Sequence, residues 1–112
     1  MKRGEIWSVN LDPTVGAEIR KTRPALIVND EAIGLLPLRV IVPITDWKPR
    51  YGAAPWMVKL EPDATNNLAK TSSADCFQIR SVSHIRFVKK IGEVHFQKME
   101  DIAEALAVVL KI

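Results

Sequence analysis

The chain has one cysteine, Cys76, and only two histidines, His84 and His95. A single thiol excludes an internal disulfide and a thiolate metal cluster, and Cys76, set in "SSADCFQIR", reads as a small core residue. Neither histidine has a second histidine or a carboxylate at ligand spacing, which argues against a zinc site. Acid–base catalysis by the two would require them to converge from distant positions. There is no glycine-rich phosphate loop and no Gly-x-Ser-x-Gly elbow. No apolar run reaches the ~18 residues needed to cross a bilayer. The start, "MKRGEIWSVNLD", is basic but turns acidic and polar too soon for a secretory signal, so a reducing cytoplasm is the expected compartment. Neither a metal nor a cofactor is expected.

What remains is an ordinary globular composition: 112 residues, 47% hydrophobic, 26% charged, with a net charge of +3. One domain spanning residues 1–112 is expected, since two separate cores would not fit. The mild positive charge permits an anionic partner without requiring one.

Hydrophobic periodicity predicts a mostly β chain with one helix. Residues 4–11, "GEIWSVNL", alternate, with Trp7 on the opposite face from Ile6. The continuous apolar runs 24–29 and 38–44 predict central strands, the second ending at an edge or bulge because Pro43 lacks an amide donor. Further strands are predicted at 54–61, at 75–82 with a possible break, and at 87–94. In the last sixteen residues the period becomes helical. Met99, Ile102, Leu106, Val109 and Leu110 form an apolar stripe, with Glu100 and Asp101 in the first turn and Lys111 in the last. Five or six short strands and one helix suggest a small, strongly bent, barrel-like sheet with the helix packed on it. Three long connections, 12–23, 45–55 and 62–73, are of the kind that often carries function.

Three cations, Arg20, Lys21 and Arg23, stand before the apolar run that begins at Pro24. Two readings are open. They form a solvated loop with an ion pair to Glu18, or Arg23 is a phosphate clamp at the mouth of a strand, its planar fork matching phosphate oxygens. Thr45 ends the third strand in "VPIT"; its hydroxyl serves the local backbone or faces the same rim. If the second and third strands form a hairpin, Arg23 and Thr45 are expected at opposite ends, meeting only across a strongly bent barrel. In the loop 46–56, Trp47, Tyr51 and Trp56 are candidates to stack bases between Lys48 and Arg50, whereas Trp56 has the further reading of a ring buried at the start of the fourth strand.

These residues resemble the MazF/PemK family of toxin endoribonucleases, the mRNA interferases of type II toxin–antitoxin systems. "KRGEIWSVNLDPTVGAEIRKTRPALIVND" looks like the family's N-terminal signature, with Leu-Asp-Pro and Gly-x-Glu-x-x-Lys-x-Arg-Pro in order. "VIVPIT", "SSADCFQIRSVS" and the terminal helix follow in register. The resemblance implies a mainly β fold with a C-terminal α-helix, a small SH3-like barrel of the CcdB/PemK type, working as a cytoplasmic homodimer with a cognate antitoxin. It implies metal-independent, sequence-specific cleavage of single-stranded RNA. The family's catalytic arginine falls on Arg23, its threonine on Thr45 and its loop acid on Glu18. Ser72, Gln78 and Arg80 match its Ser…Gln-Ile-Arg segment, and Arg20, Lys21, Trp47, Lys48 and Arg50 are further candidates to hold RNA. Relatives commonly carry an acid or its amide-like partner before the glutamine; here that position is Phe77.

RNA carries its own nucleophile, the ribose 2′-OH beside the scissile phosphate, so no water needs activation. Arg23 is suited to neutralising the phosphorane-like transition state and Thr45 to holding a non-bridging oxygen. Arginine is a poor base, its pKa exceeding ~12. The 2′-OH proton leaves to Glu18 or to solvent, and the products are a 2′,3′-cyclic phosphate and a 5′-OH. Two other functions are consistent with the fold class: a non-catalytic CcdB-type inhibitor of a protein target such as gyrase, and an SH3-like binding module.

Overall fold

The computed structural model describes residues 1–33 and 35–112. Seven strands and one helix follow in the order β1 (Glu5–Asn10), β2 (Thr22–Ile27), β3 (Leu38–Asp46), β4 (Met57–Leu60), β5 (Ser72–Asp75), β6 (Arg80–Ser83), β7 (Phe87–Glu93) and α1 (Phe96–Leu110). The strands pair antiparallel in the order β4-β5-β3-β2-β1-β7, and β6 pairs with β3. The mainly β architecture with a C-terminal helix is the one expected.

The two continuous apolar runs do become the central strands, and the reason is visible in the packing. Leu26, Val28, Val42 and Ile44 point into one cluster, while Ala25, Ile27 and Ile41 point into another on the opposite face. Both faces of β2 and β3 are buried, so neither strand alternates with polar residues. The two clusters share one sheet rather than forming the separate cores that the length excluded. Ile6 joins the first cluster and Trp7 the second, where it meets Phe87 edge-to-face at 5.8 Å. α1 closes the first cluster with Met99, Ile102 and Ala105.

Several boundaries differ from expectation. β3 does not end at residue 44, just past Pro43, but runs to Asp46. Its residues 38–41 pair with β6 and its residues 44–46 with β5, so Pro43 sits where the partner changes, a position that tolerates a missing N–H. The segment expected at 75–82 is two strands, which raises the count to seven. The Asp75 carboxylate accepts the Phe77 amide at 3.1 Å and turns the chain through residues 76–78 between them. β5 lies earlier, at Ser72–Asp75, in part of what was read as loop. β4 spans only Met57–Leu60, leaving Trp56 outside it. α1 begins at Phe96, so Glu100 and Asp101 lie in its second turn and not its first. Lys111 caps its C-terminus in the left-handed region, φ 57°, rather than ending the last turn, and Leu110 is exposed. Cys76 is fully buried, and burial beside Asp75 pushes its thiol up to about 12. Among the described residues no helix is long and apolar enough to cross a membrane.

The N-terminus is tied to β7 through Glu5, which is 8% exposed. Its carboxylate accepts the Trp7 indole N–H at 2.9 Å and the Lys2 amide at 3.0 Å, and lies 3.3 Å from Lys90 Nζ. Burial raises its pKa, but these donors outweigh burial and hold it at about 2 instead of 4.5. A depressed folded-state pKa contributes stability above the unfolded value, lost as pH falls through the folded one. Unfolding by urea across pH 7 to 2 is expected to show about 1–3 kcal/mol lost between pH 4.5 and 2 in the natural chain, and a Glu5→Gln chain is expected to lack that component.

Candidate active site

β2 and β3 pair as Ala25↔Pro43, Leu26↔Val42 and Ile27↔Ile41. Carried two residues further, that register sets Arg23 opposite Thr45. The start of one antiparallel strand and the end of its neighbour share one end of the hairpin, so the expectation of opposite ends was a misreading of the topology. No bend is needed to bring the two together. Thr45 in turn pairs with Ser73 on β5, and Arg23 with Val9 on β1. A cavity of about 270 Å³ at this end of the hairpin is lined by Lys21, Arg23, Thr45, Lys70 and Ser72, together with Ile44 and Leu68 of the first cluster.

Within the cavity the groups are oriented by local bonds. Arg23 Nε donates to the Arg20 carbonyl at 3.0 Å, and among the described residues its two terminal nitrogens make no hydrogen bond. Lys21 occupies the left-handed region, φ 72°, while its carbonyl accepts the Leu11 amide at 2.9 Å. Lys70 meets Asp46 at 3.0 Å at the rim. The Ser72 hydroxyl is buried and donates to the Lys70 carbonyl at 2.8 Å, so it shapes the wall. Among the described residues Arg20, Lys21 and Arg23 enter no ion pair, and the bridge to Glu18 that the bland reading required is not formed.

Glu18 instead accepts the Val15 amide and lines a neighbouring cavity of about 510 Å³ with Ala17, Phe77, Gln78, Ile79 and Arg80. The structure therefore brings Arg23, Thr45, Lys21 and Ser72 into one cavity and sets Glu18, Gln78 and Arg80 in another. Gln78 spans to the loop 12–21 with both ends of its amide: Oε1 accepts the Ile19 N–H at 2.6 Å and Nε2 donates to the Ala17 carbonyl at 3.1 Å. Arg80 donates to the Leu11 carbonyl at 3.3 Å. Both residues tie down the loop whose far end carries Arg20 and Arg23. Gln78→Ala is expected to speed tryptic cleavage after Arg20 and Lys21 severalfold and to cost about 1–2 kcal/mol of stability, with Gln78→Glu, which keeps the acceptor alone, lying between.

The aromatic loop divides in two. Trp47 meets Tyr51 edge-to-face at 5.9 Å, Lys59 Nζ stands 5.1 Å from the Trp47 ring, and the Arg50 guanidinium 5.3 Å from that of Tyr51. Lys48 is exposed beside them. Trp56 is not with this group and does not bury its ring: it is 36% exposed and meets Phe77. The histidines do not converge. His84 faces the Pro37 carbonyl at 3.0 Å and His95 lies 3.9 Å from Asp63. Among the described residues no three His, Cys, Asp or Glu side chains gather as metal ligands do.

Lys70, Asp46 and Lys59 were not singled out in the sequence. Each lies in a polar or strand context where a charge is unremarkable; Lys70 and Asp46 line the cavity with Arg23 and Thr45, and Lys59 stands instead at the Trp47 ring.

Residues 2–110 match the family of PemK-like, MazF-like toxins of type II toxin–antitoxin systems. The chain is 32% identical to the endoribonuclease MazF9 of Mycobacterium tuberculosis, over all of this chain and 98% of that protein. It is 34% identical to the endoribonuclease PemK of Escherichia coli, over 98% of this chain and 82% of that one. A mycobacterial endoribonuclease solved in complex with its cognate antitoxin shares the fold, with a TM-score of 0.78 at 22% identity, over all of this chain and 96% of that one. Matched along nearly its whole length, the chain belongs to the PemK-like, MazF-like toxins of type II toxin–antitoxin systems.

Proposed function

We propose that this toxin is an endoribonuclease that cuts single-stranded RNA by attack of the substrate's own 2′-OH, at the cavity between Arg23 and Thr45. The observation that carries this reading is the β2–β3 register, which sets a guanidinium opposite a hydroxyl in a cavity flanked by Lys21 and Lys70. Arg23 supplies its two terminal N–H-bearing nitrogens to the phosphorane oxygens and a proton donor near the leaving 5′ oxygen; Thr45 holds a non-bridging oxygen. Glu18 lines the neighbouring cavity, which supports loss of the 2′-OH proton to solvent. The 2′-oxygen bonds to phosphorus as the bond to the 5′ oxygen breaks, leaving a 2′,3′-cyclic phosphate and a 5′-OH. The relatives named above are endoribonucleases, which disfavours a gyrase-type inhibitor. Incubating purified protein with RNA and characterising the ends tests the reading; intact RNA after prolonged incubation sinks it.

The working unit in this reading is a homodimer, as the likeness to the family implies. The natural partner is an acidic, partly disordered antitoxin segment lying over Arg20, Lys21 and Arg23. Its affinity is expected to fall as salt rises, because contacts to exposed cations are screened. Titrations between low and high salt check this, and a salt-independent Kd contradicts it.

A further inference from the structure

Trp56 and Phe77 form an aromatic pair that the Arg23–Thr45 cavity does not use. Their rings lie 5.9 Å apart at 66°, edge to face. Trp56 is 36% exposed and Phe77 65%. Backbone bonds hold both in place: the Cys76 amide donates to the Trp56 carbonyl at 2.9 Å, and Asp75 fixes the Phe77 amide at 3.1 Å. The Asp75 turn thus points Phe77 outward, where its ring contributes little to the core.

Phe77 forms one wall of the 510 Å³ cavity whose other walls include Glu18, Gln78 and Arg80. A flat apolar face beside a carboxylate and a guanidinium fits a nucleobase, whose face stacks and whose edge presents donors and acceptors. An apolar protein anchor matches these charged walls less well. The position is also right for RNA held at the proposed cut. Thr45, Ser73 and Lys59 lie on one rung across β3, β5 and β4. Trp56, the residue before β4, lies three residues from Lys59, about 10 Å along the chain at ~3.3 Å per residue, and Lys59 is two strand spacings, about 10 Å, from Thr45.

We infer that Trp56 and Phe77 are a stacking platform for a nucleobase flanking the cleaved bond, and that Phe77 helps to set which sequence is cut. This rests on the endoribonuclease reading above. At ~1–3 kcal/mol per stacked base, loss of the platform reads as about a tenfold loss of affinity.

The probe is an oligoribonucleotide carrying the mapped cleavage site with one 2′-deoxy sugar 5′ to the scissile bond, so that binding is read without cutting. Phe77→Ala is expected to weaken binding about tenfold, Phe77→Trp to retain it, and Phe77→Leu, apolar but not flat, to behave like alanine. An abasic sugar is then moved along the probe. At one position it costs the natural protein about tenfold and the Phe77→Ala protein nothing further. Leucine matching phenylalanine overturns the inference, as does the absence of any position where the abasic penalty disappears. So does unchanged RNA affinity with a weakened dimer or antitoxin complex, which makes the surface a protein contact. If the natural protein cuts RNA while Phe77→Ala keeps the same affinity and cut sequence, the platform alone fails. If the natural protein neither binds nor cuts RNA, the endoribonuclease reading fails with it.

Discussion

Arg23→Ala is expected to remove RNA cleavage, by at least about a hundredfold in kcat, with the fold intact. Arg23 stands at a strand mouth, half-buried, and among the described residues its side chain makes one hydrogen bond, from Nε to a neighbouring loop carbonyl. Its loss therefore changes stability by no more than about 1 kcal/mol. In the proposed mechanism the phosphorane at Arg23 would carry an extra negative charge relative to the bound substrate, so a fixed guanidinium would stabilise the transition state more than the ground state. Arg23→Lys keeps the charge but loses the planar fork and the Nε bond to Arg20, and is expected to recover only a small part of the rate. Thr45→Ala loses one neutral donor and is expected to cost less, about tenfold. Rates on a fixed oligonucleotide, alongside urea unfolding of each variant, separate chemistry from folding. Full activity in the Arg23→Ala protein removes the centre of the mechanism.

A single 2′-deoxy sugar 5′ to the scissile bond is expected to block cutting almost completely, while binding falls less than about threefold because the phosphate contacts remain. Chelators are expected to leave the rate on all-ribose RNA unchanged. A metal-activated water gives the opposite pattern: the deoxy strand is cut, chelators inhibit, and no cyclic phosphate forms. One oligonucleotide run beside its all-ribose control, with the product ends analysed, distinguishes the two. Cleavage of the deoxy strand at the same bond shows that the nucleophile is not the ribose hydroxyl.

The parts of the fold that were legible in the sequence are those where one physical demand dominates. β2 and β3 are apolar on both faces because both are buried, and their runs are too short for helices. α1 announces itself by period. β5 was missed because "SSAD" is small and polar yet wholly buried, its backbone paired on both sides, Ser72 bonded to the Lys70 carbonyl and Ser73 to Met57 on β4. No hydrophobic pattern marks such a strand. Arg23 and Thr45 were recognisable by type and motif, but their juxtaposition is a matter of register, which no single segment encodes. Glu18 lies close in sequence to the basic triplet and was read as their neighbour; the loop turns it toward Gln78 instead. Trp56 was read either as a stacking residue of the loop or as a ring buried at the start of the fourth strand, and its exposure beside Phe77 depends on the turn after β5.

The Gln78 amide bonds loop residues 59 and 61 positions earlier in the chain. That span has a consequence for the cell that makes the protein. Translation delivers Arg23 early and Thr45 soon after, but β5, which completes their rung, and the Gln78 strut that holds the loop before Arg23 arrive only after about two thirds of the chain. Contacts so distant in sequence form late, after the cost of closing the intervening loop has been met. A chain truncated before Gln78 is thus expected to carry Arg23 and Thr45 without the frame that positions them.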